Sequence, residues 1–256
     1  MWLGLVEHLE DVWGEPRYYR NIAIHPIKMK DALKFNKYVT SLNIPKNTID
    51  DPEVIRMTYI KFLLVMATLD DSFKKVLENF IELLKLVLNA ELIEFYQTDD
   101  GKRIIISVDN SFEIRESEFD KIKSIIAEQN LIELEDDKYL NPEFRQKLLE
   151  AKKFRERKNK KSAPLDEQIF IYRCFSGESY DKIKELTIYQ FTNELKRYIH
   201  LKDSDILQNA YYRSKSFKDG FVPPSWMDKL QEAKDDLVID AETFISKAQK
   251  DLGSNK

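Results

Sequence analysis

The chain has 256 residues, 43% of them apolar and 34% charged, with a formal net charge of −4. This is the composition of a folded protein with a heavily solvated surface, and the length suffices for one domain or two small ones. The slight acidity gives no general attraction to nucleic acid or anionic membrane, and six glycines and eight prolines are too few for a turn-dense β fold.

The opening MWLGLVEHLEDVWGE has neither the basic start nor the small-residue cleavage site of a secretory signal. Gly14 and Pro16 break any early helix. NIAIHPI, residues 21–27, alternates as a short strand, with Pro26 holding it at an edge or a strand end. MKDALKFNKYVTSL then places Met29, Ala32, Leu33, Phe35 and Val39 near one helical stripe. After the turn-rich NIPKNTIDDPE, two helices are expected at about 53–69 and 71–89. In the second, Phe73, Leu77, Phe80, Leu84 and Val87 step by four, three, four and three, the spacing of a helix packed along another. An ordinary core face explains that spacing better than a coiled coil. FLLVMATL and IELLKLVL both stop well short of the roughly 20 apolar residues of a membrane span, so a soluble, cytosolic protein is expected.

Composition changes at residue 91. LIEFYQTDDGKRIIISV is two β-rich runs around Asp99-Asp100-Gly101, which reads as a hairpin with strands near 92–97 and 102–108. A lone hairpin is marginal in water, so it must pack on helices or pair with another strand, 21–25 being the candidate. Helices then resume. Phe119, Ile122, Ile125 and Ile126 form a stripe ending near Asn130, and Asn141-Pro142 is a helix start. The helix it opens runs into KKFRERKNKK, residues 152–161, with seven basic side chains and one acidic. Ser162, Ala163 and Pro164 end that run. The expected fold is therefore α+β and predominantly α-helical, with a small β-hairpin (about 92–108) packed on helices. Residues 1–151 form its N-terminal helical part, 152–162 a basic hinge, and 163–256 a C-terminal helical module with a polar tail.

In that module, SGESYDKIKELTIYQFTNELKRYIH puts Ser179 and Thr187 where helix caps belong, and Thr187 with Gln190 makes a capping box. Ile188, Phe191, Leu195, Tyr198 and Ile199 fall on one face, with Ile183 and Leu186 placed to close over it, giving a compact helical hairpin. SDILQNAYYRS reads as another helix, and FKDGFVPPSWMDKL as a break followed by a short helix carrying Trp226. That tryptophan is either a lid over the module or an exposed anchor for a partner; residue preference favours burial.

Groups suited to chemistry are sparse. Cys174 is alone, within IFIYRCF, and reads as a small buried hydrophobe. His8, His25 and His200 lack metal-ligand spacing, and there is no H-E-x-x-H, C-x-x-C or EF-hand loop. The glycines, at 4, 14, 101, 177, 220 and 253, cannot form a phosphate-binding loop. Glu94, Asp99, Asp100 and Lys102 match turn chemistry better than a nuclease core. Lys152, Lys153, Arg155, Arg157, Lys158, Lys160 and Lys161 are a candidate phosphate patch. With only Phe154 interleaved for stacking and the acidic ELEDD at 133–137 to offset it, a solvated helix end is the better reading. No catalytic residue, metal or cofactor is expected, and the protein is read as non-enzymatic.

Several segments together resemble a family. DEQIFIYRCFSGESYDKIKELTIYQF, a polar helix and the Trp-Met pair of SWMDKL are similar to the tail assembly chaperones of tailed bacteriophages and prophages of Gram-positive bacteria. IHPIKMKDALKF, RMTYIKFLL, EFDKIKSIIAEQN and LNPEFRQKLLEAKKF look like the longer phage version, so the resemblance spans most of residues 22–228. It implies a protein of the host cytoplasm that binds the helical, apolar tape measure protein and keeps it soluble until tail-tube subunits polymerise around it. It also implies absence from the mature virion and no cofactor, with self-association as a further contact. The partner-facing positions it implies are Ile183, Leu186, Phe191, Leu195, Tyr198, Trp226 and Met227. The two prolines before Trp226 and the polar tail after it depart from the family pattern. The alternatives are a structural tail or baseplate component and, less favoured, a DNA-binding accessory protein using the basic run.

Overall fold

The computed structural model describes residues 8–46, 51–98, 103–134, 150, 163–213 and 221–228. Contacts divide the chain into two units, Met1–Leu195 and Lys196–Lys256. The Asp99–Gly101 turn, the Asn141-Pro142 helix start, the basic run with its expected hinge at 152–162, and the tail beyond 228 lie outside the described residues. The fold class is the expected one, α+β and mostly helical, with two small antiparallel sheets.

The first unit opens with α1 (Leu9–Trp13), β1 (Arg17–Tyr19), β2 (Ile22–Ile24) and α2 (Ala32–Tyr38), the last flanked by 3₁₀ turns at Met29–Asp31 and Val39–Leu42. Next come α3 (Pro52–Arg56), α4 (Tyr59–Leu69) and α5 (Asp71–Leu88). Asp70 separates α4 from α5 and starts the latter. Its carboxylate accepts a 2.8 Å hydrogen bond from the Ser72 amide, which holds its pKa below the usual carboxylate value. The stripe read in α5 does face the core: Phe80, Leu84 and Val87 are fully buried, while Phe73 and Leu77 pack at its margin. Opposite them α4 buries Tyr59, Ile60, Phe62, Leu63 and Ala67. The rings of Phe80 and Phe119 meet edge-on at 5.2 Å, and Tyr59 lies 6.2 Å from both Phe62 and Phe80. Each such side chain contributes about 1.5–3 kcal/mol by leaving water, so Phe80→Ala in this cluster would cost about 3–5 kcal/mol.

The single helix expected over 53–69 is two, because Met57 and the α4 cap Thr58 are extended. The break has visible partners. Lys46 donates to the Met57 carbonyl at 2.8 Å and Thr58 donates to Glu116 at 3.0 Å. The turn also lets Tyr59, 1% exposed, donate its hydroxyl to the Ser41 carbonyl at 2.7 Å.

The expected hairpin is β3 (Ile93–Gln97) and β4 (Ile104–Val108), in register Ile93↔Val108, Phe95↔Ile106 and Gln97↔Ile104. Ile104, Ile106 and Val108 alternate inward, as a strand with one buried face requires. Its third strand is not 21–25. β5 (Phe112–Arg115) pairs antiparallel with β4, and β2 pairs instead with β1 through a turn in which Arg20 has φ 54°. α6 (Glu116–Gln129) then crosses the core with Phe119, Ile122 and Ile126 buried. Asn130 ends it and ties it to the irregular segment after β2, accepting from the Ile27 amide at 3.1 Å and donating to the Ile126 carbonyl at 2.8 Å.

α7 (Leu165–Ser176), α8 (Tyr180–Glu185) and the start of α9 (Ile188–Arg213) complete the first unit. Both expected caps are present. Ser179 accepts from the Lys182 amide, and Thr187 and Gln190 exchange side-chain to backbone bonds of 2.9 and 3.1 Å. The segment is sewn to the start of the chain by an antiparallel bridge, with Met29 N donating to Leu186 O and Ile188 N to Ile27 O, both at 2.8 Å. Gln190 also donates to the Val12 carbonyl at 2.9 Å. Gly14, at φ 73°, leaves only 3.1 Å between a notional Cβ and Thr187 or Gln190, so no larger residue fits without displacement. Cys174 is exposed, not buried. The inward face of α7 is set by Leu165, Ile169 and Tyr172, and position 174 falls on the opposite side.

Candidate functional site

The described residues of the second unit form a clamp. On α9, Arg197, His200, Ser204 and Gln208 step by three, four and four, which places all four side chains on one helical face. Each bonds the backbone of the segment 224–228. Arg197 donates to the carbonyls of Trp226 at 3.3 Å and Asp228 at 2.8 Å. His200 donates Nε2–H to the Ser225 carbonyl at 3.1 Å; a carbonyl only accepts, so that contact fixes the protonated nitrogen. Ser204 and Gln208 both donate to the Pro224 carbonyl, at 2.7 and 3.0 Å. Prolines 223 and 224 bring no amide hydrogens of their own, so this stretch offers acceptors to a helix that supplies donors.

The clamped segment also closes on itself. Ser225 N donates to the Asp228 carboxylate at 2.7 Å, Asp228 N returns to the Ser225 carbonyl at 3.0 Å, and Met227 N donates to Ser225 Oγ at 3.2 Å. Every one of these bonds uses backbone or polar side-chain atoms. Trp226 is 57% exposed and Met227 73%, against the burial expected from residue preference. Ser204, beneath them, is buried to 1%. A fixed main chain thus displays a tryptophan and a methionine to solvent. Trp226 lies in this turn at 226–228; the short helix expected around it would continue into residues outside those described.

The other sequence-predicted partner positions fall elsewhere. Ile183, Phe191 and Leu195 are buried with Tyr172 in a small second core of the first unit, and Leu186 packs at its edge with Met29, Ile169 and Phe175. The ring of Tyr172 lies tilted 5.1 Å from that of Phe191 and its hydroxyl donates to Glu194; burial first, and that bond second, push its pKa upward. Tyr198, in the second unit, is half-buried with Lys202 5.6 Å from its ring. Ile199, expected on the face of Phe191, is 48% exposed. Trp226 and Met227 are therefore brought together in one platform of the second unit, while Ile183, Phe191 and Leu195 are core residues of the first.

A groove of about 760 Å³ in the first unit is lined by Trp13, Tyr172, Glu178, Glu185, Gln190 and Glu194, among others. Its carboxylates have protein partners: Glu178 pairs with Lys182, and Glu185 with both Lys28 and Lys30. The bonds from Lys28 and Lys30 pull the Glu185 pKa down to about 2. Among the described residues no three His, Cys, Asp or Glu side chains gather as a metal site, and no helix is long and apolar enough to cross a membrane. The seven basic residues of 152–161 are not among those described.

The clamp was missed by sequence reasoning because hydrophobic periodicity ignores polar residues. The signal was nonetheless there, as four polar side chains on a helical stripe followed by a proline pair. Residues 157–231 match the family model of the YomV second domain, a phage-related family, and this span holds the whole clamp and turn. The match covers less than a third of the chain. No curated protein and no solved structure matches it. Similarity to a phage-related domain agrees with the phage association read from the sequence.

Proposed function

We propose that this protein is a phage tail assembly chaperone that binds the apolar, helical tape measure protein and holds it in solution until the tail tube encloses it. One observation carries the reading: four polar side chains of α9 fix the backbone of 224–228 while Trp226 and Met227 stay exposed. Exposed tryptophan on an already ordered segment loses little conformational freedom when it docks, and buried aromatic anchors dominate binding energy. Methionine beside it adapts to irregular apolar partners, the property a protein needs to coat a long helix of varying sequence. The similarity of residues 157–231 to a phage-related domain supports the setting. Action is by non-covalent binding in the host cytoplasm, with no cofactor and no covalent chemistry, and the protein leaves before the virion matures.

The test is coexpression with the tape measure protein of the same phage. The tape measure moves into the soluble fraction and copurifies with this chain, and Trp226→Ala abolishes both effects while the variant itself stays folded. Equal precipitation with and without this chain overturns the proposal.

A further inference from the structure

Helix α1 is built inside out. Leu9, Val12 and Trp13, at i, i+3 and i+4, share one face and are 44%, 46% and 61% exposed. Asp11, on the opposite side, is 2% exposed, its carboxylate held by both Nε and Nη2 of Arg17, which is itself 8% exposed and donates Nη1 to Glu128 at 2.6 Å. An ordinary surface helix does the reverse, burying its apolar stripe and wetting its charges. A buried ion pair adds little stability over apolar packing of the same volume. What this one does is fix the orientation: with Asp11 locked inward, the apolar residues of α1 point to water. Strand alternation adds Tyr18, 66% exposed, next to the buried Arg17.

The rim of this face is acidic. On the Glu10 side of α1 runs a groove of about 690 Å³ whose lining includes Glu10, Glu15, Glu128 and Tyr18, with Arg17 and His8 as its basic residues. On the other side Trp13 borders a groove lined by Glu178, Asp181, Glu185 and Glu194 with Lys28 and Lys182. In the first groove three carboxylates thus meet one guanidinium, and that guanidinium is taken up by Asp11 and Glu128. The geometry points to a second docking surface, distinct from the Trp226 platform, that takes an amphipathic helix of another protein whose apolar stripe is flanked by lysine or arginine. Spacing sets the helical partner, because residues at i, i+3 and i+4 interdigitate with a helix of matching pitch. Charge sets its sign. Pairing with a second copy about a two-fold axis would lay this acidic rim against itself, and an anionic membrane surface would repel it. The surface stands whether or not the platform binds a tape measure.

The experiment uses the full chain and a labelled synthetic helical peptide with a leucine stripe flanked by lysines, compared with the same peptide carrying glutamates. Fluorescence anisotropy is expected to show the lysine peptide binding at least about tenfold more tightly. Trp13→Ala weakens it by a similar factor with thermal unfolding unchanged, and Glu10→Lys with Glu15→Lys inverts the preference. Equal affinity for the two peptides, or none for either, overturns the inference. So does a dimer in sedimentation that Trp13→Ala dissolves, which assigns the face to a second copy. Binding gained only on deleting residues 1–7 assigns it to the chain's own first residues. Preference for phosphatidylserine vesicles over both peptides assigns it to a membrane.

Discussion

Ser204, buried on α9, donates a 2.7 Å hydrogen bond to the carbonyl of Pro224, twenty residues further along the chain. Gln208 shares that acceptor at 3.0 Å and also donates to Ser204 Oγ at 3.2 Å, so the three groups form one small network. Ser204→Ala removes its centre. The expected loss of stability is about 0.5–1.5 kcal/mol, because Gln208 still satisfies the carbonyl. The more telling readout is hydrogen exchange, where the amides of Met227 and Asp228 exchange faster in the variant. If the platform binds through preorganisation, affinity for its partner falls with them although no contacting side chain has changed.

The pair Asp11–Arg17 is tested by comparing single and double variants. Burial alone would lower the Arg17 pKa, but the bonds to Asp11 and Glu128 outweigh it and the net direction is upward. Asp11→Ala leaves a buried guanidinium short of its main partner and is expected to cost about 3–5 kcal/mol in chemical denaturation. Asp11→Leu combined with Arg17→Met removes both charges and is expected to recover most of that loss. A double variant as unstable as the single one would show that the ion pair itself, and not merely its neutrality, supports the unit.

Much of this architecture was readable, and the exceptions have physical causes. The β4 strand was legible because Ile104, Ile106 and Val108 repeat at two, and the α5 stripe because its apolar residues repeat at three and four. β5 was not, since the turn before it has no glycine: Asp109 and Asn110 take φ of 50° and 53° themselves, and the Asp109 carboxylate accepts the amides of Glu91 and Leu92. The break before Tyr59 was hidden for a related reason. Neither Met57 nor Thr58 is a helix breaker, and what stops the helix is a set of bonds to residues distant in sequence, Lys46 and Glu116. Trp226 and Met227 were named from their setting, but the clamp that makes a platform of them lies in polar residues, on which no apolar pattern reports.

Glu185 gives the first unit a defined acid sensitivity. Hydrogen bonds from Lys28 and then Lys30 depress its pKa from 4.5 to about 2. A carboxylate whose folded pKa is lowered stabilises the fold above its unfolded value and loses that contribution as pH falls through the folded one. The window is therefore from 4.5 down to about 2. Glu185→Gln is expected to flatten the pH dependence of the unfolding midpoint across that window. Because all three side chains are about half exposed to solvent, added salt should shrink the difference between variant and parent. A difference that persists undiminished in high salt would refute the ion-pair explanation.

Gln129, the last residue of α6, is fully buried, and neither its amide oxygen nor its nitrogen has a hydrogen-bond partner. A buried polar group left without partners is a standing loss of about 1–3 kcal/mol relative to the same group in water. Its neighbour Asn130 is the contrast, with both ends of its amide bonded to backbone. Gln129→Met keeps the length and most of the volume of the side chain while removing both unmet groups. The expected outcome is an unfolding temperature equal to or above that of the parent, whereas Asn130→Leu, which strips the Ile27 amide of its acceptor, lowers it. A marked drop for Gln129→Met would mean that this amide makes bonds the folded chain depends on.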